Sequence, residues 1–172
     1  MLIVLGGLPG VGKTTLARAL GQRLQAAHIR IDTIEQAMRS SGMLRSEVGP
    51  AGYVVAYAVA EDNLRVGRTV VADSVNPVAI TREAWRSVAQ RVPCPLVEVE
   101  IVRSDSDDHR RVIETRSSDI PGLVPPTWDE VRASGYEPWD QPRIVIDTSF
   151  KTVDESAKEL LGAIDHARPS RA

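Results

Sequence analysis

The sequence predicts an open α/β fold, a parallel sheet with helices packed on both faces. Three observations predict it. Short, wholly apolar runs recur that suit strands buried on both sides. Stretches of helical period lie between them. Strand and helix then alternate along almost the whole chain, which implies right-handed crossovers between parallel strands. A length of 172 residues supports one core and is short for two, so a single domain over 1–172 is expected. No internal repeat is present.

The first strand is Met1 to Leu5, ending in Gly6-Gly7. Beyond a glycine loop, Leu16, Leu20, Leu24 and Ala27 recur at helical spacing up to His28. Ile29 to Ile31 is a second strand leading into Asp32, and helix-like sequence runs from Thr33 to about Arg39 before a turn-rich break, SSGMLRSEVGP. Tyr53, Ala56, Tyr57, Ala60 and Leu64 make the apolar stripe of the next helix, which Gly67 ends. Thr69 to Asp73 is a third buried strand. Ala79 to Val92 is helical, Leu96 to Val102 a fourth strand, and Asp105 to Arg116 a charged helix. Ser117 to Gln141 carries four prolines and two of the three tryptophans and reads as a loop. Arg143 to Asp147 gives a fifth strand and Val153 to His166 a closing helix, after which the last residues are expected to fray.

Composition narrows the function classes. A net charge of −2 supplies no general reason to bind nucleic acid or an anionic membrane. Apolar runs stay well short of the roughly 20 residues that span a bilayer, and no basic leader with a cleavage site opens the chain, so a cytoplasmic protein is expected. Cys94 stands alone, which rules out a disulfide framework, and His28, His109 and His166 have no paired spacing of a zinc site. Lysine occurs three times against eighteen arginines. A compact ammonium placed so sparingly draws attention to Lys13.

Gly7-Leu8-Pro9-Gly10-Val11-Gly12-Lys13-Thr14 fits G-x-x-x-x-G-K-[ST], after a strand and before a helix. Glycines let the backbone curl so that successive N–H groups face phosphate oxygens, and the helix that follows adds the positive end of its dipole. The expected nucleotide contacts are Gly7, Gly10, Val11, Gly12, Lys13, Thr14 and Thr15. Lys13 bridges the outer phosphates, and the Thr14 hydroxyl serves magnesium. With glycine near 7% of residues, chance yields such a match in roughly one chain of this length in a few hundred, and the strand–helix context removes most of those. A metal shell needs an acid on a neighbouring strand end, and Asp73 closes the run TVVADS.

Asp32 follows the second strand on the same sheet edge as the loop, where ligands of open α/β folds bind. A carboxylate there can orient an acceptor hydroxyl and take its proton. Asp32 also precedes a helix, with Glu35 three residues on, so a capping box is the rival explanation and the two roles are compatible. Asn occurs only at 63 and 76, neither followed by Lys, which leaves out the N-K-x-D guanine motif of GTPases. Arg110, Arg111 and Arg116 run into the proline-rich segment, where arginines arriving from a lid can neutralise a transferring phosphoryl group. Glu61, Arg65 and Arg39 are further candidates for the acceptor side. Trp128, Tyr136 and Trp139 can close a lid or merely pin it to the body.

The opening GGLPGVGKTTLA, the strand-end Asp32, TVVADS and the helix-to-lid segment SDSDDHRRVIETR fall in one order. In this the whole chain resembles the small P-loop kinase group, AAA-type, that contains zeta toxins, gluconate kinase, adenylylsulfate kinase and chloramphenicol phosphotransferase. Asp32 to Met38 is similar to the corresponding chloramphenicol phosphotransferase segment. The resemblance implies a three-layer P-loop NTPase of nucleotide-kinase type with strand order 2-3-1-4-5 and a small lid at about 117–141. It further implies ATP and Mg2+ as cofactors, a monomer or homodimer, and phosphoryl transfer to a hydroxyl of a small molecule. Arg110 and Arg116 take the lid arginine positions, Arg111 a solvated one, and Thr148 and Ser149 fall where relatives hold the adenine. The acceptor motifs of gluconate kinase and adenylylsulfate kinase are both missing. A nucleotide or nucleic-acid-end kinase, or a regulatory ATP-binding module without transfer, stays open as an alternative.

Overall fold

A computed structural model of the chain describes residues 1–167. The frayed tail expected after the closing helix lies outside the described residues. Strand β1 (Leu2–Gly6) is buried along its whole length, and its alternation sets the layering. Leu2 and Val4 point to one core, Ile3 and Leu5 to the other. A central strand with no polar side chain is what a sheet covered on both faces requires.

The remaining strands are β2 (Ala27–Arg30), β3 (Val70–Asp73), β4 (Leu96–Val102) and β5 (Ile144–Asp147). They pair in parallel in the order β2-β3-β1-β4-β5, as the family resemblance implied. Helices α1 (Lys13–Leu24) and α7 (Val153–Ala167) cover one face, packing Leu16, Leu20, Leu160 and Ile164 on Val71, Val99 and Ile101. On the other face α3 (Ala51–Arg65) and α4 (Ala79–Arg91) bring Ala56, Ala60, Trp85 and Val88 onto Val70 and Ala72. On its α4 side β4 carries Glu98 and Glu100, matched by Arg86 at 3.0 Å and Arg143 at 2.7 Å.

Helix α2 (Ile31–Ser40) begins one residue after β2 with Arg30 as its extended N-cap. Asp32 therefore sits inside the first turn rather than capping it. Glu35 turns to Arg39 at 3.1 Å instead of closing a capping box. The charged helix is α5 (Ser106–Thr115), capped by the Asp105 carboxylate accepting from the Asp108 amide at 2.7 Å.

The segment read as one long loop divides in two. It contains a short helix, α6 (Trp128–Arg132), closed by a Thr127/Glu130 capping box. Beyond it the chain is tied to the body by the buried Arg82. That guanidinium donates to the carbonyls of Asn76 at 3.0 Å, Pro77 at 3.2 Å, Glu137 at 2.6 Å and Pro138 at 2.9 Å, and lies 4.5 Å from the Trp139 ring. Four carbonyls satisfy a charge that burial would otherwise make costly. Arg82→Ala leaves them unpaired and is expected to lower stability by about 3 kcal/mol, read as the midpoint of urea unfolding.

Candidate active site

The carboxyl edge of the sheet opens into a cleft of about 610 Å³. At its base the loop after β1 curls through three glycines in the left-handed region, Gly7 (φ 136°), Gly10 (φ 83°) and Gly12 (φ 95°). Space excludes a side chain at two of them. A Cβ at Gly7 would meet the Ile101 carbonyl oxygen, and one at Gly10 would lie 2.5 Å from Ile113 Cδ1. The Gly7 amide donates to the Val75 carbonyl at 3.0 Å, so this glycine shapes the loop from outside the cleft. Gly10, Val11, Gly12, Lys13, Thr14 and Thr15 all line it. His109 of α5 holds the loop from above, its Nε2 donating to the Pro9 carbonyl at 2.7 Å while its ring meets Trp128 edge-on.

Lys13 is buried, and the described residues give its ammonium one hydrogen bond, to the Leu8 carbonyl at 2.8 Å. Burial pulls its pKa down to about 8, with Asp73 and Asp32 opposing the shift and Arg116 and Arg30 adding to it. The sign follows directly. Between about pH 8 and the unfolded value near 10.5 the unfolded chain holds more protons, so stability rises with pH across that window. The charged lysine costs stability below it. Removing the charge by Lys13→Met should therefore stabilise the nucleotide-free protein at pH 7.5, by a margin that shrinks by about 2 kcal/mol on going to pH 9.5. Parallel urea titrations at the two pH values measure it.

Asp73 ends β3 almost wholly buried. Burial pushes its carboxyl up, yet the His28 hydrogen bond, the charge of Lys13 and the Thr14 hydroxyl outweigh it and hold the pKa below the usual range. His28 Nε2 lies 3.2 Å from Asp73 Oδ2. Thr14 and Asp73 thus meet beside the ammonium, offering one hydroxyl and one carboxylate. That set suits an ion that completes its shell with phosphate oxygens and water. The ammonium with donors to spare, the glycine-curled loop and this oxygen pair fit a magnesium nucleotide.

Asp32 lines the same cleft half-exposed, its Oδ2 3.8 Å from Arg30 Nη2. Arg116, the C-cap of α5, also lines it and is within electrostatic reach of both Lys13 and Asp32. Arg110 does not. It points to solvent from the exposed face of α5 and pairs with Glu114 at 2.7 Å, one turn away. Arg111, expected to be solvated, is exposed and paired with Asp108. Glu61 is taken up by Arg65 and Arg91, and Arg39 by Glu35, all away from the cleft. Only the first part of the lid segment, from Ser117 to Pro126, borders the cleft; Trp128 and Trp139 pin the rest.

Sequence reasoning passed over the cleft arginines Arg18, Arg30 and Arg103. Arg30 and Arg103 stand at the carboxyl ends of β2 and β4. The rule that open sheets bind ligands at those ends flags them as it flags Asp32. Arg18 lies on the exposed side of α1 and had no signal. Thr148, after β5, donates to the Val11 carbonyl at 2.9 Å and fastens the loop to the fifth strand.

The family model described as the AAA domain matches residues 2–121. The chain belongs to that family. A protein of Aeropyrum pernix named "Probable adenylyl-sulfate kinase" is 24% identical over 95% of this chain and 92% of its own. Among solved structures, the Mycobacterium tuberculosis APS kinase CysC in complex with AMPPNP and APS superposes with a TM-score of 0.67, at 19% identity over 95% of this chain and 96% of that one. A gluconokinase of Sinorhizobium meliloti gives 0.65, at 18% identity over 95% and 91%. At these identities the likeness is one of fold. The fold is the one that these kinases share. No helix among the described residues is long and apolar enough to cross a membrane.

Proposed function

We propose that the protein transfers the γ-phosphoryl group of ATP to a hydroxyl of a small molecule. The observation that carries this is the convergence of Lys13, Asp73, Asp32 and Arg116 on one cleft at the carboxyl edge of the sheet. The acceptor oxygen attacks the γ-phosphorus, the bond to the β–γ bridging oxygen breaks, ADP departs, and the hydroxyl proton passes to Asp32. Lys13 and the loop amides hold the β and γ phosphates, while Arg116 faces the charge spread over the transferred group. Thr14 and Asp73 would hold a magnesium ion, which would supply charge neutralisation at the phosphate oxygens. Arg103, Thr148 and Lys151 line the same cleft, and Thr148, with Ser149, is the pair that the resemblance assigns to the adenine.

Acceptor dependence tests the reading. ADP release is measured with magnesium ATP alone and with fractions of a small-metabolite extract, and mass spectrometry searches the products for a gain of one phosphoryl group. Strong stimulation by one fraction, with a phosphorylated product, is expected. Slow hydrolysis that no fraction stimulates would instead identify a regulatory ATP-binding module.

A further inference from the structure

Outside the groups assigned above, an ion triad lines the cleft. Asp119, on the segment after α5, is gripped by Arg18 of α1 and by Arg30 at the end of β2. Arg30 Nη1 donates to both Asp119 oxygens, at 2.9 and 3.0 Å. These three side chains also belong to a second cavity of about 560 Å³, walled by His28, Ile34, Val59 and Ile120, so the triad is the partition between the two. Its members differ in how firmly they are held. Arg30 is 13% exposed and its buried Nε has no hydrogen-bond partner, with Asp73 3.9 Å away, whereas Asp119 is 47% exposed on a loop.

Arg30 also stands within electrostatic reach of Lys13 and Arg116. Asp73 and Asp32 already face this cluster of cations, but the guanidinium edge that Arg30 turns to Asp119 binds both oxygens of a carboxylate and so matches an oxyanion geometrically. Exchanging one anion for another there avoids leaving a buried charge unpaired. We propose that Arg30 and Arg18 form the seat for an oxyanion group carried by the acceptor, a phosphate, sulfate or carboxylate, and that Asp119 fills this seat until the acceptor displaces it. This rests on the kinase reading and narrows its acceptor to an anionic molecule. The same displacement would open the partition and let the acceptor body reach the second cavity. The two guanidiniums hold the Asp119 carboxyl down at about 2, so it is a full anion throughout the working range.

The test fills the phosphate loop first, with the magnesium complex of the non-hydrolysable imido analogue of ATP, then titrates sulfate by calorimetry into wild type, Asp119→Asn and the double variant Asp119→Asn/Arg30→Gln. Asp119→Asn should bind sulfate about tenfold more tightly than wild type, and the double variant should lose the gain. Acetate in a parallel titration distinguishes a seat for carboxylates from one for tetrahedral anions only. Equal sulfate affinity in wild type and Asp119→Asn, or a gain that survives Arg30→Gln, overturns the proposal. Should Asp119→Asn not fold, hydrogen exchange on the nucleotide-loaded wild type decides, because sulfate must speed exchange over residues 118–123 and unchanged rates sink the idea. Failed nucleotide uptake in the same calorimeter would instead strike the kinase reading, while normal uptake without a sulfate seat strikes this inference alone.

Discussion

Lys13→Ala is expected to lower ATP turnover about 10³-fold, roughly 4 kcal/mol of transition-state stabilisation. Among the described residues the lysine is the one buried ammonium, and its hydrogen bond to the Leu8 carbonyl leaves donors to meet phosphate oxygens. Loss of activity here does not come from loss of the fold. Burying this charge costs stability in the nucleotide-free protein, as the depressed pKa records, so the variant should unfold at the same or higher urea concentration. Nucleotide tells the two effects apart. At a hundredfold excess over Kd, ATP should stabilise wild type by about 2.7 kcal/mol, and Lys13→Ala should gain much less at the same concentration. Turnover within threefold of wild type would remove Lys13 from its proposed role.

Asp32→Asn is the second large effect, and it should fall on transfer alone. The carboxylate is half-exposed in the cleft, 3.8 Å from Arg30, and takes no part in capping α2. The amide keeps the shape and the orientation of the side chain but cannot accept the hydroxyl proton. Acceptor-stimulated ADP release is expected to drop about 10²- to 10³-fold, with magnesium ATP binding and urea midpoint unchanged. A variant that transfers as fast as wild type would return Asp32 to a purely local role. One that loses nucleotide binding as well would mean the residue serves the phosphates rather than the acceptor.

Much of this molecule was written locally. The loop from Gly7 to Thr14 needs positive φ at three positions, and only glycine meets that without strain, so the motif is legible one residue at a time. Leu2–Gly6, and Val70–Asp73 up to its last residue, are apolar because the sheet is covered on both faces, and their burial follows from composition alone. Asp73 was placed by the same logic, as the polar residue ending an apolar run.

What could not be read locally are the relations between distant segments. Which face of α5 an arginine occupies depends on the rotation of the helix against the loop, and that is set by His109 meeting Pro9 and Ile113 meeting Gly10. With those two inward, Arg110 turns to Glu114 and solvent, while Arg116 at the helix end reaches the cleft. Arg82 is a similar case. An arginine on an amphipathic helix reads as solvated, yet four carbonyls from two separate segments close around it and tie the second half of the expected lid to the body. The triad of Arg18, Arg30 and Asp119 joins residues up to 101 positions apart. Backbone preference and hydrophobic period act over a few residues and so were visible in the chain. Ion pairing acts through space, and its partners exist only once the sheet has brought them to one edge.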